Sequence, residues 1–142
     1  MDGMDEHLMA KLRARLAQES DVLVAYLYGS QARGTSGPLS DVDIGVLLDE
    51  SSDLFRRQLD LTNAVAEVTG DSVTDVIVLN DAPVALGYRV LRDGKVILSR
   101  DERTRIRFFV GTVDRYLDMA PMRRMYADGT RHRLAEGRFG RR

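Results

Sequence analysis

Three short apolar runs, Val22–Tyr28, Asp41–Leu48 and Val73–Leu79, constrain the fold of this 142-residue chain more than anything else in it. Each is rich in β-formers and shorter than an ordinary helix, so each reads as a strand. Between and around them the apolar period lengthens. Leu8, Met9, Leu12 and Leu16 repeat at helical spacing from about Asp5 to Glu19, and Leu54, Leu61, Val65 and Val68 do so in a second helix. Gly70 is placed to end that helix. Ala82-Pro83 opens a short third helix that stops near Asp93-Gly94, and Lys95–Leu98 is a fourth strand. Asp101 opens a last helix in which Ile106, Phe109, Val110, Val113, Leu117 and Ala120 form one stripe, with Arg on the other side. Gly29 to Ser40 is a loop, marked by Gly29, Gly34, Gly37 and Pro38. No linker or repeat divides the chain. The pattern is that of one small α/β domain.

Composition closes several alternatives. The chain has no Cys, so disulfides and thiolate metal sites are excluded, in keeping with a cytoplasmic setting. No apolar run is long enough to span a bilayer, and the opening Met-Asp-Gly-Met-Asp-Glu lacks the pattern of a secretory leader. His7 and His132 lie at opposite ends without ligand-like spacing. P-loop, Rossmann and Gly-x-Ser-x-Gly patterns are all missing. Charge is uneven: residues 120–142 hold seven Arg against Asp128 and Glu136, whereas the rest of the chain is acidic on balance. Such a tail suits an acidic partner or nucleic acid, but a flexible, solvated terminus over residues 127–142 is the expectation. Direct binding of nucleic acid is not expected.

The chemistry concentrates in Gly29 to Leu48. Asp41 and Asp43 stand two apart in an apolar strand, so both carboxylates leave one face, with Cα atoms roughly 6.5–7 Å apart. Val42 and Ile44 point the other way, into the core. Two carboxylates so close repel each other unless a positive charge joins them. Before them, Gly29-Ser30 ends a strand in a turn where backbone, amide and hydroxyl approach an anion. Arg33 offers a forked guanidinium to a phosphate. Asp75 interrupts the third apolar strand, where a lone carboxylate is costly to bury without a cation or donor. If that strand lies beside the second, three carboxylates meet. Oxygen ligands at that density suit Mg²⁺, and Mg²⁺ suits a nucleoside triphosphate.

Gly29-Ser30, ten residues, then Asp41-x-Asp43 is similar to the signature of the polymerase-β-like nucleotidyltransferase superfamily. The wording Gly-Ser-Gln-Ala-Arg-Gly resembles its minimal (MNT, or MntA-like) branch. The resemblance implies a small mixed β-sheet flanked by helices, in a domain over residues 1–126 that includes a C-terminal helix over 101–120. It implies that Gly29 and Ser30 hold the triphosphate, that Asp41 and Asp43 hold two Mg²⁺ ions, and that Asp75 is a metal ligand or the base acting on the acceptor. Arg33 would balance charge on the phosphates.

The same resemblance implies an acceptor oxygen attacking the α-phosphate of ATP. It also implies a partner, a HEPN-domain ribonuclease toxin that accepts AMP on a Tyr hydroxyl, with this chain as its antitoxin in a hetero-oligomer. Two other readings stay open: a catalytically idle antitoxin that neutralises by binding, and a stand-alone nucleotidyltransferase for small molecules. Of the five Tyr, Tyr28 borders the expected nucleotide, though packing within its strand is the simpler role.

Overall fold

The computed structural model describes residues 2–29, 42–70, 74–119 and 121. The chain runs α1 (Asp2–Leu16), β1 (Val22–Tyr28), β2 (Val42–Leu48), α2 (Leu54–Thr69), β3 (Thr74–Val78), a 3₁₀ turn (Leu79–Asp81), α3 (Val84–Asp93), β4 (Lys95–Ser99) and α4 (Glu102–Asp118). The four strands form one sheet in the order β3-β2-β1-β4. β1 pairs antiparallel with β2 and with β4, while β2 and β3 run parallel, joined through α2. The sheet is therefore mixed and flanked by helices, as the motif resemblance implies.

Two cores form, one on each face. On the first, Leu12 and Leu16 of α1 and Leu61 and Val65 of α2 pack on Val42, Ile44 and Val46 of β2, Leu27 of β1 and Val76 of β3. On the second, Val24, Tyr26 and Tyr28 of β1 and Leu47 of β2 meet Leu79 and Val90, with Phe108 of α4 packed against them. A bulge at the start of β1 makes this division possible. Val22 pairs with Leu48 but Val24 pairs with Leu47, so β1 spends one residue more than β2. That extra residue turns Val22 to the first core and Val24 to the second.

The helix ends obey their local chemistry. Asp53 caps α2 by accepting from the Arg56 N–H, and Gly70 at φ +70° closes the helix with its N–H on the Ala66 carbonyl. Asp101 caps α4 by accepting from the Arg103 and Thr104 N–H groups. Pro83 stands just before α3 as its cap residue, one position earlier than a first-turn Pro. Asn80 fastens the far end of β2: its amide oxygen accepts from the Leu48 N–H at 2.9 Å, and its amide nitrogen donates to the Leu48 carbonyl at 2.9 Å. Among the described residues no helix is long and apolar enough to cross a membrane.

Candidate functional site

Asp43 sits on β2 between Val42 and Ile44, which are 1% and 0% exposed in the first core. Strand alternation therefore turns Asp43 to the second face. Its pairing partners there are Tyr28 on β1 and Asp75 on β3. Residues paired across strands share a face, so Tyr28, Asp43 and Asp75 make a row over three strands at one end of the sheet. The parallel pairing of β2 with β3 brings together two carboxylates far apart in sequence. Asp43 is half-buried and Asp75 is exposed. The exposure of Asp75 differs from the expectation of a buried acid. β3 is an edge strand, and at an edge the carboxylate keeps its water.

At the end of β1 the backbone turns at Gly29 with φ +78°. A Cβ there would collide with the Asp43 carboxylate. Glycine suits both facts: an L side chain is strained at that φ, and a Cβ would have to push the Asp43 carboxylate aside. Tyr28, one residue earlier, is 7% exposed, and burial pushes its hydroxyl up to about 12, with the Asp43 and Asp75 charges acting in the same direction and Arg89 opposing them. Tyr28 is thus a neutral phenol through the physiological range.

Arg89 is the residue that sequence reasoning missed. It lies on α3 beside Val90, which is fully buried in the same core layer as Tyr28. Its charge opposes those of the two carboxylates at the Tyr28 hydroxyl. No spacing signal marked it, because the proximity arises only when α3 folds onto β1. Of the other residues expected at the site, Ser30, Arg33 and Asp41 lie outside the described residues.

The described donors suit a hard divalent cation: Asp43 and Asp75 present carboxylates on one face, and the missing side chain at Gly29 leaves backbone alone against Asp43. Among the described residues no group of three or more His, Asp or Glu side chains comes together. Two grooves, each of about 360–370 Å³, share Leu47, Asn80 and Phe108 in their walls, at the opposite end of β2 from Asp43.

Comparison with known proteins follows the same lines. Residues 10–103 match the family described as polymerase beta, nucleotidyltransferase. No curated relative matches the chain. A chain in the crystal structure of a toxin–antitoxin with AMP-PNP is 26% identical, with a TM-score of 0.73, covering 85% of this chain and 96% of that one. A chain from the toxin–antitoxin MntA–HepT is 23% identical, with a TM-score of 0.69 over 87% of this chain and 97% of its own length, which shows a shared fold. A chain from the complex of a tri-AMPylated Shewanella oneidensis HEPN toxin with an MNT antitoxin is 25% identical, with a TM-score of 0.65, covering 91% of this chain and 98% of that one. The family match spans both carboxylate strands and the Gly29 turn, and the chain belongs to the polymerase-β nucleotidyltransferase family.

Proposed function

We propose that this chain transfers AMP from ATP to a tyrosine hydroxyl of a cognate HEPN-domain toxin and so serves as the toxin's antitoxin. The observation that carries the reading is the Asp43–Asp75 pair on adjacent strands, with the Gly29 backbone against Asp43. A general binding surface has no use for such an arrangement, whereas phosphoryl chemistry needs both the acids and a close backbone approach. The similarity to chains from a toxin–antitoxin structure with AMP-PNP and from a complex with a tri-AMPylated HEPN toxin supports the choice of nucleotide and acceptor.

In this reading, Gly29 and Ser30 hold the triphosphate, and Arg33 and Arg89 offset its charge. Asp41 and Asp43 would hold two Mg²⁺ ions, with Asp75 a further ligand or the base, and the ions would supply stabilisation of charge on the attacking and departing oxygens. The acceptor oxygen forms a bond to the α-phosphorus as the bond to the bridging oxygen of the β-phosphate breaks, and pyrophosphate leaves. The hydroxyl proton passes to a carboxylate, and the exposure of Asp75 supports it in that role. Modification adds bulk and negative charge to the toxin, which opposes RNA binding. The setting is cytoplasmic.

The test is incubation of the chain with Mg²⁺, α-labelled ATP and the HEPN-domain protein, followed by intact mass and peptide analysis of both proteins. One or more AMP units on a partner Tyr, absent with Asp43→Asn, is the expected result. An unmodified partner that is nonetheless bound and silenced would replace it with neutralisation by binding. Labelling of small hydroxyl compounds but of no protein would identify a stand-alone transferase.

A further inference from the structure

The last helix carries its apolar stripe on the outside. Ile106, Phe109, Val110 and Leu117 are 52%, 48%, 51% and 59% exposed, while Phe108 packs towards Tyr26 and Thr112 is buried. Positions 106, 109, 110, 113 and 117 fall on one side of a helix and repeat as a coiled-coil seam does, about 16 Å long at the helical rise. Val96 on β4 is a further exposed apolar residue. Its pairing with Tyr26 puts it on the sheet face that α4 covers. A contiguous apolar strip of this kind on a small domain marks an interaction site.

We infer that this outer face of α4 is the docking surface for an α-helix of the acceptor protein, and that it delivers that protein's target hydroxyl to the Asp43 end of the sheet. The inference rests on the transferase reading above for the identity of the acceptor. Its direction rests on the path of the chain. β4 runs from Lys95, opposite Leu27, to Ser99, opposite Val24, and α4 then returns. Phe108 lies over Tyr26 in mid-sheet, and further on Tyr116 stacks on Tyr88 with ring centroids 3.7 Å apart. Tyr88 neighbours Arg89, whose charge acts on Tyr28 beside Asp43. The seam therefore leads from the remote end of the sheet out over α3, on the face that carries the Asp43 row. The other exposed apolar pair, Phe55 and Leu59, lies on α2, which packs on the opposite face.

Charge selects the occupant. Arg103 and Arg107 are exposed along one border of the first half of the seam, with Asp114 following on the same border, whereas Arg105 is tied to Glu102 at 2.8 Å. The chain's own residues 122–142 hold seven Arg against Asp128 and Glu136 and have no helical apolar period, so they are a poor match for this border. An amphipathic partner helix with acidic residues flanking its apolar face satisfies both features.

The experiment uses the full chain and the purified HEPN-domain protein. Phe109→Asp and Val110→Asp, both at exposed positions, are compared with Phe55→Asp as the control. The expected result is at least a roughly 30-fold loss of affinity for the partner in the two α4 variants and none in the control, as for central interface residues. AMP transfer to the partner falls in parallel, while ATP binding by the isolated variants is unchanged. A photo-crosslinker at position 109 captures a helix of the HEPN protein. Unchanged partner affinity in the α4 variants overturns the inference. Loss of self-association with partner binding intact assigns the face to a second copy and also overturns it. Wild-type chain that binds through α4 but transfers no AMP leaves the docking surface standing and removes the transferase reading; transfer that ignores α4 does the reverse. A chain that binds no HEPN-domain protein sinks both.

Discussion

At Gly29 the backbone takes φ +78° with the Asp43 carboxylate where a side chain would be. Gly29→Ala is therefore a probe of the site with a small structural cost. The left-handed backbone penalty is about 1–2 kcal/mol, but the added methyl also displaces the carboxylate. We expect a folded protein with a lower melting temperature and a loss of AMP transfer on the order of 10²-fold, as misplacing a reacting group by about 1 Å produces. Circular dichroism and the labelled-ATP assay measure the two effects separately, and wild-type transfer in the Ala variant would show that this approach is not used. At this scale the sequence was a good guide wherever a residue's position follows from its neighbours. Gly29 beside a strand and Asp43 between two core residues are such cases. Asp75 was legible as an odd acid in an apolar run, but its exposure was not, because that depends on β3 being an edge strand. Arg89 was illegible, since its place at the site is made by tertiary packing alone.

Elements were legible to within a residue or two where the apolar period was clean. β1 was read with the ends it has, and β4 ran one residue further, while the bulge in β1 left no mark in the sequence. For α4 the period revealed the stripe but not which way it faces. The helix packs instead through the line of Phe108, Thr112 and Tyr116, and Thr112 touches the space over Gly87 that a side chain would otherwise fill. Thr112 is 1% exposed, and its hydroxyl oxygen has no hydrogen-bond partner among the described residues. A buried unpaired hydroxyl carries a desolvation cost, so Thr112→Val, which keeps the shape, is expected to stabilise the protein by about 1 kcal/mol. Urea unfolding with an unchanged m-value and a higher midpoint would establish this. A lower midpoint would mean that the hydroxyl bonds a buried group or water in solution. AMP transfer should not change, as Thr112 lies beneath α4 and away from the Asp43 row.

Across the whole molecule, the arginines do more than composition suggests. Arg occurs throughout the sequence and looks like a compositional bias, yet three of these residues tie distant parts of the chain together. Arg13 donates to the Ile97 carbonyl at 2.7 Å, joining α1 to β4, and Arg100 donates to the Val22 carbonyl at 3.0 Å. Arg57 at the start of α2 bonds Glu19 at 2.6 Å and both oxygens of Asp21 at 2.8 Å, binding α2 to the α1–β1 connection. These side chains are about one-fifth exposed, so the network is only partly screened by solvent. Hydrogen bonds from Arg15 and Arg57 hold the Glu19 carboxyl below its ordinary value, and those from Arg57 hold Asp21 below its own. Lowered values in the folded state mean that the unfolded chain binds more protons in acid. The contribution is then fully present above the ordinary values of 4.5 and 3.8 and is lost as pH falls through the depressed ones. Arg57→Ala should cost about 1–2 kcal/mol at neutral pH, the worth of charge-assisted bonds in a half-buried setting. The gap between variant and wild type should close as the carboxylates protonate. Urea midpoints taken from pH 7 downwards decide it: a gap that stays constant with pH would assign the loss to packing of the Arg57 stem, and the charge network would then have no part in joining the two halves of the first core.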